Sequence, residues 1–90
     1  MSYKCEYCVY VLQSKKDKSI YFGYTNDLKR RVGEHNKGLC ISTKARKPFR
    51  IAAYEVYSSE VDARIRERRL KQLKNAYKEL LKRISNCLER

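Results

Sequence analysis

The sequence predicts an α+β domain over residues 1–90, a three-stranded antiparallel or mixed sheet flanked by helices in the order β-β-α-β-α-α. Three observations carry this. Two runs rich in β-branched and aromatic residues, 6–13 and 19–25, are separated by a short polar turn. A third such run covers 50–57. Apolar residues at helical spacing fill the segments between and after them.

In chain order, Glu6 to Gln13 reads as the first strand. Cys8, Tyr10 and Leu12 point to one face, and Tyr7, Val9 and Val11 to the other. Ser14 to Lys18 is a turn short enough for a hairpin with Ser19 to Thr25, which brings Tyr10 and Tyr21 into one sheet. Thr25 or Asn26 is suited to cap a helix from Asp27 to about Asn36, with Asp27 at the positive end of its dipole. Leu28 and Val32 anchor that helix to the core, and Gly33 within it implies close packing or an early end. Leu39 to Phe49 is a basic loop in which Pro48 bars a helix. After the third strand, Ser59 with Asp62 three residues on resembles a capping box. The helix it opens has sparse apolar positions at Val61, Ile65, Leu70 and Leu73. A stripe of Ala76, Tyr77, Leu80, Leu81, Ile84 and Leu88 then continues nearly to the C-terminus. One long helix, or two with a bend near Lys74 and Asn75, fits this pattern.

Hydrophobic residues make up 42 % of the chain, with eight Tyr and two Phe, enough for a core and against disorder. No apolar run reaches the length of a membrane span, and the first residues do not open a signal peptide, so a soluble cytoplasmic protein is expected. The formal net charge is +12. A fold gains nothing from that excess, and an anionic partner, nucleic acid above all, accounts for it. Cys5 and Cys8 have C-x-x-C spacing, but Cys40 and Cys87 stand alone. A zinc module needs a second close pair, so four thiols are expected, Cys8 among them as a small buried hydrophobe.

There is no close pair of catalytic carboxylates, no Ser-His-Asp pattern and no glycine-rich phosphate loop. What stands out is a strand that hands the phenol of Tyr21 to the foot of a helix on which Arg31 and His35 share a face. Those groups suit a phosphodiester. Read more plainly, they are a packed aromatic, a solvated charge and a satisfied polar residue. Glu67 lies inside the block Arg64-Ile65-Arg66-Glu67-Arg68-Arg69 and shares a helix face with Ala63 and Leu70. It is either a half-buried carboxylate able to hold a cation or a relief for the arginines, paired with Arg64 or Lys71.

Cys8-Val9-Tyr10, ten further residues, then Tyr21-Phe22-Gly23 resemble the paired signature of the GIY-YIG nuclease superfamily. The helix Thr25 to Gly38 is similar to that family's helix. Ser42 to Phe49 followed by Tyr54-Glu55, with Ala63 and Glu67 as an Ala-x-x-x-Glu segment, resembles its small single-domain bacterial branch. The likeness runs from about Tyr7 to about Lys82. Cys8, Val9 and Phe22 replace the family's Gly, Ile and Ile at positions that read as packing.

The resemblance implies a metal-dependent endonuclease that hydrolyses phosphodiester bonds in DNA, in repair or recombination. It assigns Tyr10, Tyr21, Arg31 and His35 to catalysis and Glu67 to one divalent ion, Mg²⁺ or Mn²⁺. Tyr10 is the first choice to deprotonate or orient the attacking water, with Arg31 set against the charge that develops on the phosphate. Lys44, Arg46, Lys47, Arg64, Arg68 and Lys71 would track the nucleic-acid backbone, DNA before RNA. The alternative is a catalytically silent nucleic-acid-binding module on the same fold.

Overall fold

A computed structural model describes residues 6–89. It contains β1 (Tyr7–Ser14), β2 (Ile20–Thr25), α1 (Leu28–Asn36), a 3-10 turn (Lys44–Arg46), β3 (Phe49–Tyr57), α2 (Glu60–Gln72), α3 (Lys74–Arg83) and a last 3-10 turn (Ser85–Cys87). This is the expected α+β fold, and the sheet is wholly antiparallel, in the order β2-β1-β3. The central strand β1 is buried from Cys8 to its end, as a strand covered on both faces must be.

Side-chain alternation along β1 divides the interior into two layers. Val9 and Val11 pack with Phe22, Ala63, Leu70, Leu80 and Ile84 beneath α2 and α3. On the other face Tyr10 and Leu12 pack with Phe49, and Tyr21, Leu28 and Val32 close over them from β2 and α1. Leu28 and Val32 thus anchor α1 as their spacing predicts.

The hairpin register pairs Cys8 with Thr25, Tyr10 with Gly23 and Leu12 with Tyr21, so Tyr10, Gly23 and Tyr21 share the α1 face. The turn is tied by Ser14 N to Ser19 O at 2.9 Å, with Ser14 Oγ accepting from Lys16 N at 3.0 Å. The basic loop is fastened at its far end by Asn36, whose side chain accepts from Phe49 N at 2.7 Å and donates to Phe49 O at 3.2 Å.

Several local expectations are corrected. The cap of α1 is Asp27, whose carboxylate accepts from Arg30 N at 3.1 Å, while Thr25 Oγ1 accepts from Asp27 N one turn earlier. The carboxylate is both charged and next to the orphan amides, so it wins the cap from the hydroxyl. Around Gly33 nothing lies within contact distance of an added Cβ, and α1 runs on to Asn36, so neither reading of that glycine holds. Ser59 caps α2 as expected. Ala63 and Leu70 make its buried face, however, while Val61 and Ile65 are exposed. Short Ala63 lets α2 lie close on the sheet, and that turns the longer residues outward. The last third is two helices. Leu73 interrupts them in an extended conformation, one residue before the expected bend, and is itself exposed.

Cys40 and Cys87 are free, whereas Cys8 is disulfide-bonded, which overturns the expected thiol there. Cys5 lies outside the described residues. Among those described, no helix is long and apolar enough to cross a membrane.

Candidate active site

Tyr10 comes from the middle of the central strand and His35 from the last turn of α1. The Tyr10 hydroxyl stands 2.9 Å from Nε2 of His35, and Nδ1 of His35 stands 2.8 Å from Thr43 Oγ1 in the basic loop. All three side chains are buried. The tyrosine ring reaches this position because residue 23 is glycine: a Cβ there would overlap Cζ and Oη of Tyr10. Tyr21 lies beside the pair, its ring centroid 5.1 Å from that of His35 and 6.4 Å from that of Tyr10.

Cations ring this aromatic cluster. Arg31 sits one turn before His35 on α1 and donates to Glu34 at 3.0 Å. The Arg46 guanidinium is 5.9 Å from the Tyr21 ring centre and the Lys71 ammonium 5.1 Å from it, so the Tyr21 ring has two positive groups close to it. Burial pushes the Tyr10 hydroxyl up to about 12, although the neighbouring Arg31 pulls the other way. Burial, then the nearby Arg31 and Lys71, hold the His35 imidazole below its ordinary range. The ground state is a neutral phenol against a neutral imidazole.

Glu67 approaches from the opposite layer. It belongs to α2, on the Val9 face, yet its carboxylate meets Lys71 at 3.2 Å, and Lys71 lies against the Tyr21 ring. Tyr10, Tyr21 and His35 are in mutual contact with Arg31 close by, and Glu67 connects to them through Lys71.

The expected nucleic-acid contacts divide. Arg46 and Lys71 lie close to the Tyr21 ring. Arg64 stacks on Tyr24 at 4.4 Å and pairs with Glu60 at 2.9 Å, in a polar cleft of 430 Å³ that it shares with Arg30, Arg31 and Glu34. Lys44, Lys47 and Arg68 are exposed. A larger groove of 890 Å³ at the foot of α1, walled by Leu28, Val32 and Ile51, contains none of the candidate catalytic residues.

Two residues in this arrangement escape a reading by residue type. Thr43 touches His35 only because the loop folds back over α1, and no spacing rule connects them. Gly23 was accessible, since a hairpin turning at Ser14–Lys18 sets Gly23 opposite Tyr10.

A known family model, that of the GIY-YIG catalytic domain, matches residues 6–81. The chain belongs to the GIY-YIG family. Its relatives include a UPF0213 protein of Halobacterium salinarum, 43 % identical over 74 residues, which cover 81 % of this chain and 95 % of that protein. A UPF0213 protein of Listeria welshimeri is 37 % identical over 75 residues, 82 % of each chain. Among solved structures, the solution NMR structure of the UPF0213 protein BH0048 from Bacillus halodurans is similar with a TM-score of 0.52 and 38 % identity, covering 83 % of this chain and 80 % of that one. The chain is thus a member of a small GIY-YIG group, and its catalytic-domain family points to a nuclease.

Among the described residues no group of three or more His, Cys, Asp or Glu side chains could hold a metal ion. Two carboxylates lie near this cluster, Glu34 paired with Arg31 and Glu67, its side chain 25 % exposed, paired with Lys71. A hard cation that keeps most of its water and takes phosphate oxygens as further ligands fits one such carboxylate.

Proposed function

We propose that this protein is a divalent-metal-dependent endonuclease of one domain, hydrolysing phosphodiester bonds in DNA, with repair or recombination as its setting. The observation that carries the reading is the buried Tyr10–His35 pair at 2.9 Å, beside Arg31 and beneath the half-exposed Tyr21. A phenol already bonded to a neutral imidazole can accept a proton from water on one side while releasing its own to Nε2 on the other. No free phenolate is needed, which matters for a hydroxyl whose pKa is pushed up to about 12. Tyr10 is only 1 % exposed, so an attacking water has to enter a closed site to reach it. Tyr21, close to Arg46 and Lys71, meets the substrate first and orients it. The Arg31 guanidinium faces the charge that develops on the phosphate. Lys44, Arg46, Lys47, Arg64, Arg68 and Lys71 hold the backbone of the strand.

Glu67 would hold one Mg²⁺ or Mn²⁺ ion, displacing Lys71 from its carboxylate. Such an ion supplies positive charge to the phosphate oxygens. The alternative, a silent nucleic-acid-binding module, draws on that same Lys71, which at 3.2 Å already neutralises the carboxylate. Incubation with linear, flapped and branched DNA and with RNA, with and without Mg²⁺ or Mn²⁺, decides between them. Metal-dependent cleavage of DNA that Glu67→Gln abolishes is the expected result. Binding without cleavage under every condition establishes the module instead.

A further inference from the structure

We propose that Thr43 is a positioning residue: by accepting the Nδ1 proton of His35 it holds the imidazole in the Nδ1–H tautomer, so that Nε2 stands open to the Tyr10 hydroxyl proton. The catalytic consequence rests on the nuclease reading above. The tautomer itself rests on the hydrogen bonds of a buried, neutral imidazole.

Tyr10 is 1 % exposed, and His35 and Thr43 are fully buried, so each polar hydrogen among them must find its partner inside the protein. No buried side-chain polar atom among the described residues lacks one. The acceptor in reach of the Tyr10 hydroxyl is Nε2 of His35, at 2.9 Å. The neighbouring Arg31 guanidinium has only hydrogens to offer. The Tyr10 proton therefore goes to Nε2.

A neutral imidazole has one N–H, which must then be at Nδ1, 2.8 Å from Thr43 Oγ1. Thr43 Oγ1 accepts it and turns its own hydrogen toward the Cys40 carbonyl, 3.5 Å away. The opposite tautomer would aim Nε2–H at the Tyr10 oxygen and push the phenol's proton toward a guanidinium. Burial and two nearby cations disfavour the doubly protonated ring.

The tautomer sets what Tyr10 presents to a substrate. With Nδ1–H, the Tyr10 oxygen keeps its lone pairs free of the imidazole and can take a proton from water as its own moves to Nε2. With Nε2–H it presents a hydrogen and cannot act as a base. Thr43 is held for this task by its own turn, in which Thr43 N and Lys44 N both donate to the Cys40 carbonyl, at 3.2 and 2.9 Å. Downstream, Ser14 Oγ donates to Arg46 O at 2.5 Å and ties the loop to β1.

The chain has a single histidine, so the ¹⁵N spectrum of its imidazole reports this tautomer with no ambiguity of assignment. Wild-type protein should show a protonated Nδ1 and an unprotonated, hydrogen-bonded Nε2. Thr43→Val, which offers no acceptor, should move the proton to Nε2, and Thr43→Ser should restore the wild-type pattern. A wild-type spectrum with Nε2–H, or with the two tautomers averaged, overturns the proposal without any variant having to fold. So does a Thr43→Val spectrum that keeps Nδ1–H. In cleavage assays Thr43→Val should lower the rate by about 10- to 100-fold, as loss of a histidine's outer partner does elsewhere, and Thr43→Ser should recover most of it. A shifted tautomer with an unchanged cleavage rate overturns the positioning role. A wild-type protein that cuts nothing removes the nuclease reading and leaves the spectrum to decide the tautomer.

Discussion

Tyr10 and Gly23 face one another across the β1–β2 ladder, and the end of the tyrosine ring occupies the place a Cβ of residue 23 would take. The glycine is therefore a condition of the site. Tyr10 cannot yield, because its ring is enclosed and its hydroxyl is bonded to His35. Gly23→Ala should destabilise the fold by about 1–3 kcal/mol, the usual cost of overpacking a tight core. It should also break the Tyr10–His35 bond. Urea unfolding measures the first effect and the imidazole ¹⁵N spectrum the second; an alanine variant that matches wild type in both contradicts this packing.

Glu67→Gln and Arg31→Ala should part company in a binding assay and agree in a cleavage assay. The amide is a poor ligand for a hard cation, so cleavage in Mg²⁺ should collapse while DNA binding persists or tightens, one negative charge having left a basic surface. Arg31→Ala should lower cleavage by about 2.7–4 kcal/mol if the guanidinium acts as one preorganised donor to the phosphate. It should not strengthen binding. Wild-type cleavage by the Glu67→Gln protein would remove the metal assignment.

His35 sets a pH dependence of known sign. Its pKa is lowered in the fold by burial first and by the nearby Arg31 next, so the unfolded chain binds its proton more readily. The contribution is complete above the unfolded value of roughly 6.5 and is lost as pH falls from there through the depressed folded value. Urea unfolding at a series of pH values should show stability declining below about 6.5. NMR titration should find the folded imidazole still neutral there. Ordinary titration of the folded ring near that value would contradict the buried neutral state.

Binding to nucleic acid should weaken steeply with salt. With a net charge of +12, the protein neutralises phosphates and releases their counterions, each contact adding about −0.9 to the log–log slope on duplex DNA. Arg46 and Lys71 both lie close to the Tyr21 ring, so Lys71→Ala should make the slope shallower by about one contact. Affinity indifferent to salt would contradict a backbone-tracking surface.

Most of the architecture follows from local pattern. Alternation in β1 sorts Tyr10 from Val9 and so separates the two layers. The Leu28–Val32 spacing sets the buried side of α1, and the short hairpin brings Tyr10 and Tyr21 into one sheet. These are short-range relations, governed by the two-residue and 3.6-residue periods of the backbone. The ordered tyrosines, Arg31, His35 and Glu67 likewise stand in the chain in a recognisable sequence.

Other features depend on groups far apart in the chain, and the periods are silent about them. Whether α2 would present Val61 and Ile65 or Ala63 and Leu70 to the sheet was decided by how closely the helix can approach it. Glu67, on the other layer, is linked to Tyr21 through Lys71, and that contact depends on how α2 lies against the assembled sheet. Thr43 reaches His35 through a loop whose path is set by Asn36 gripping Phe49 and Ser14 holding Arg46. A buried imidazole has to pair both of its nitrogens, and which groups lie within 3 Å of them is known only once the chain has closed around it.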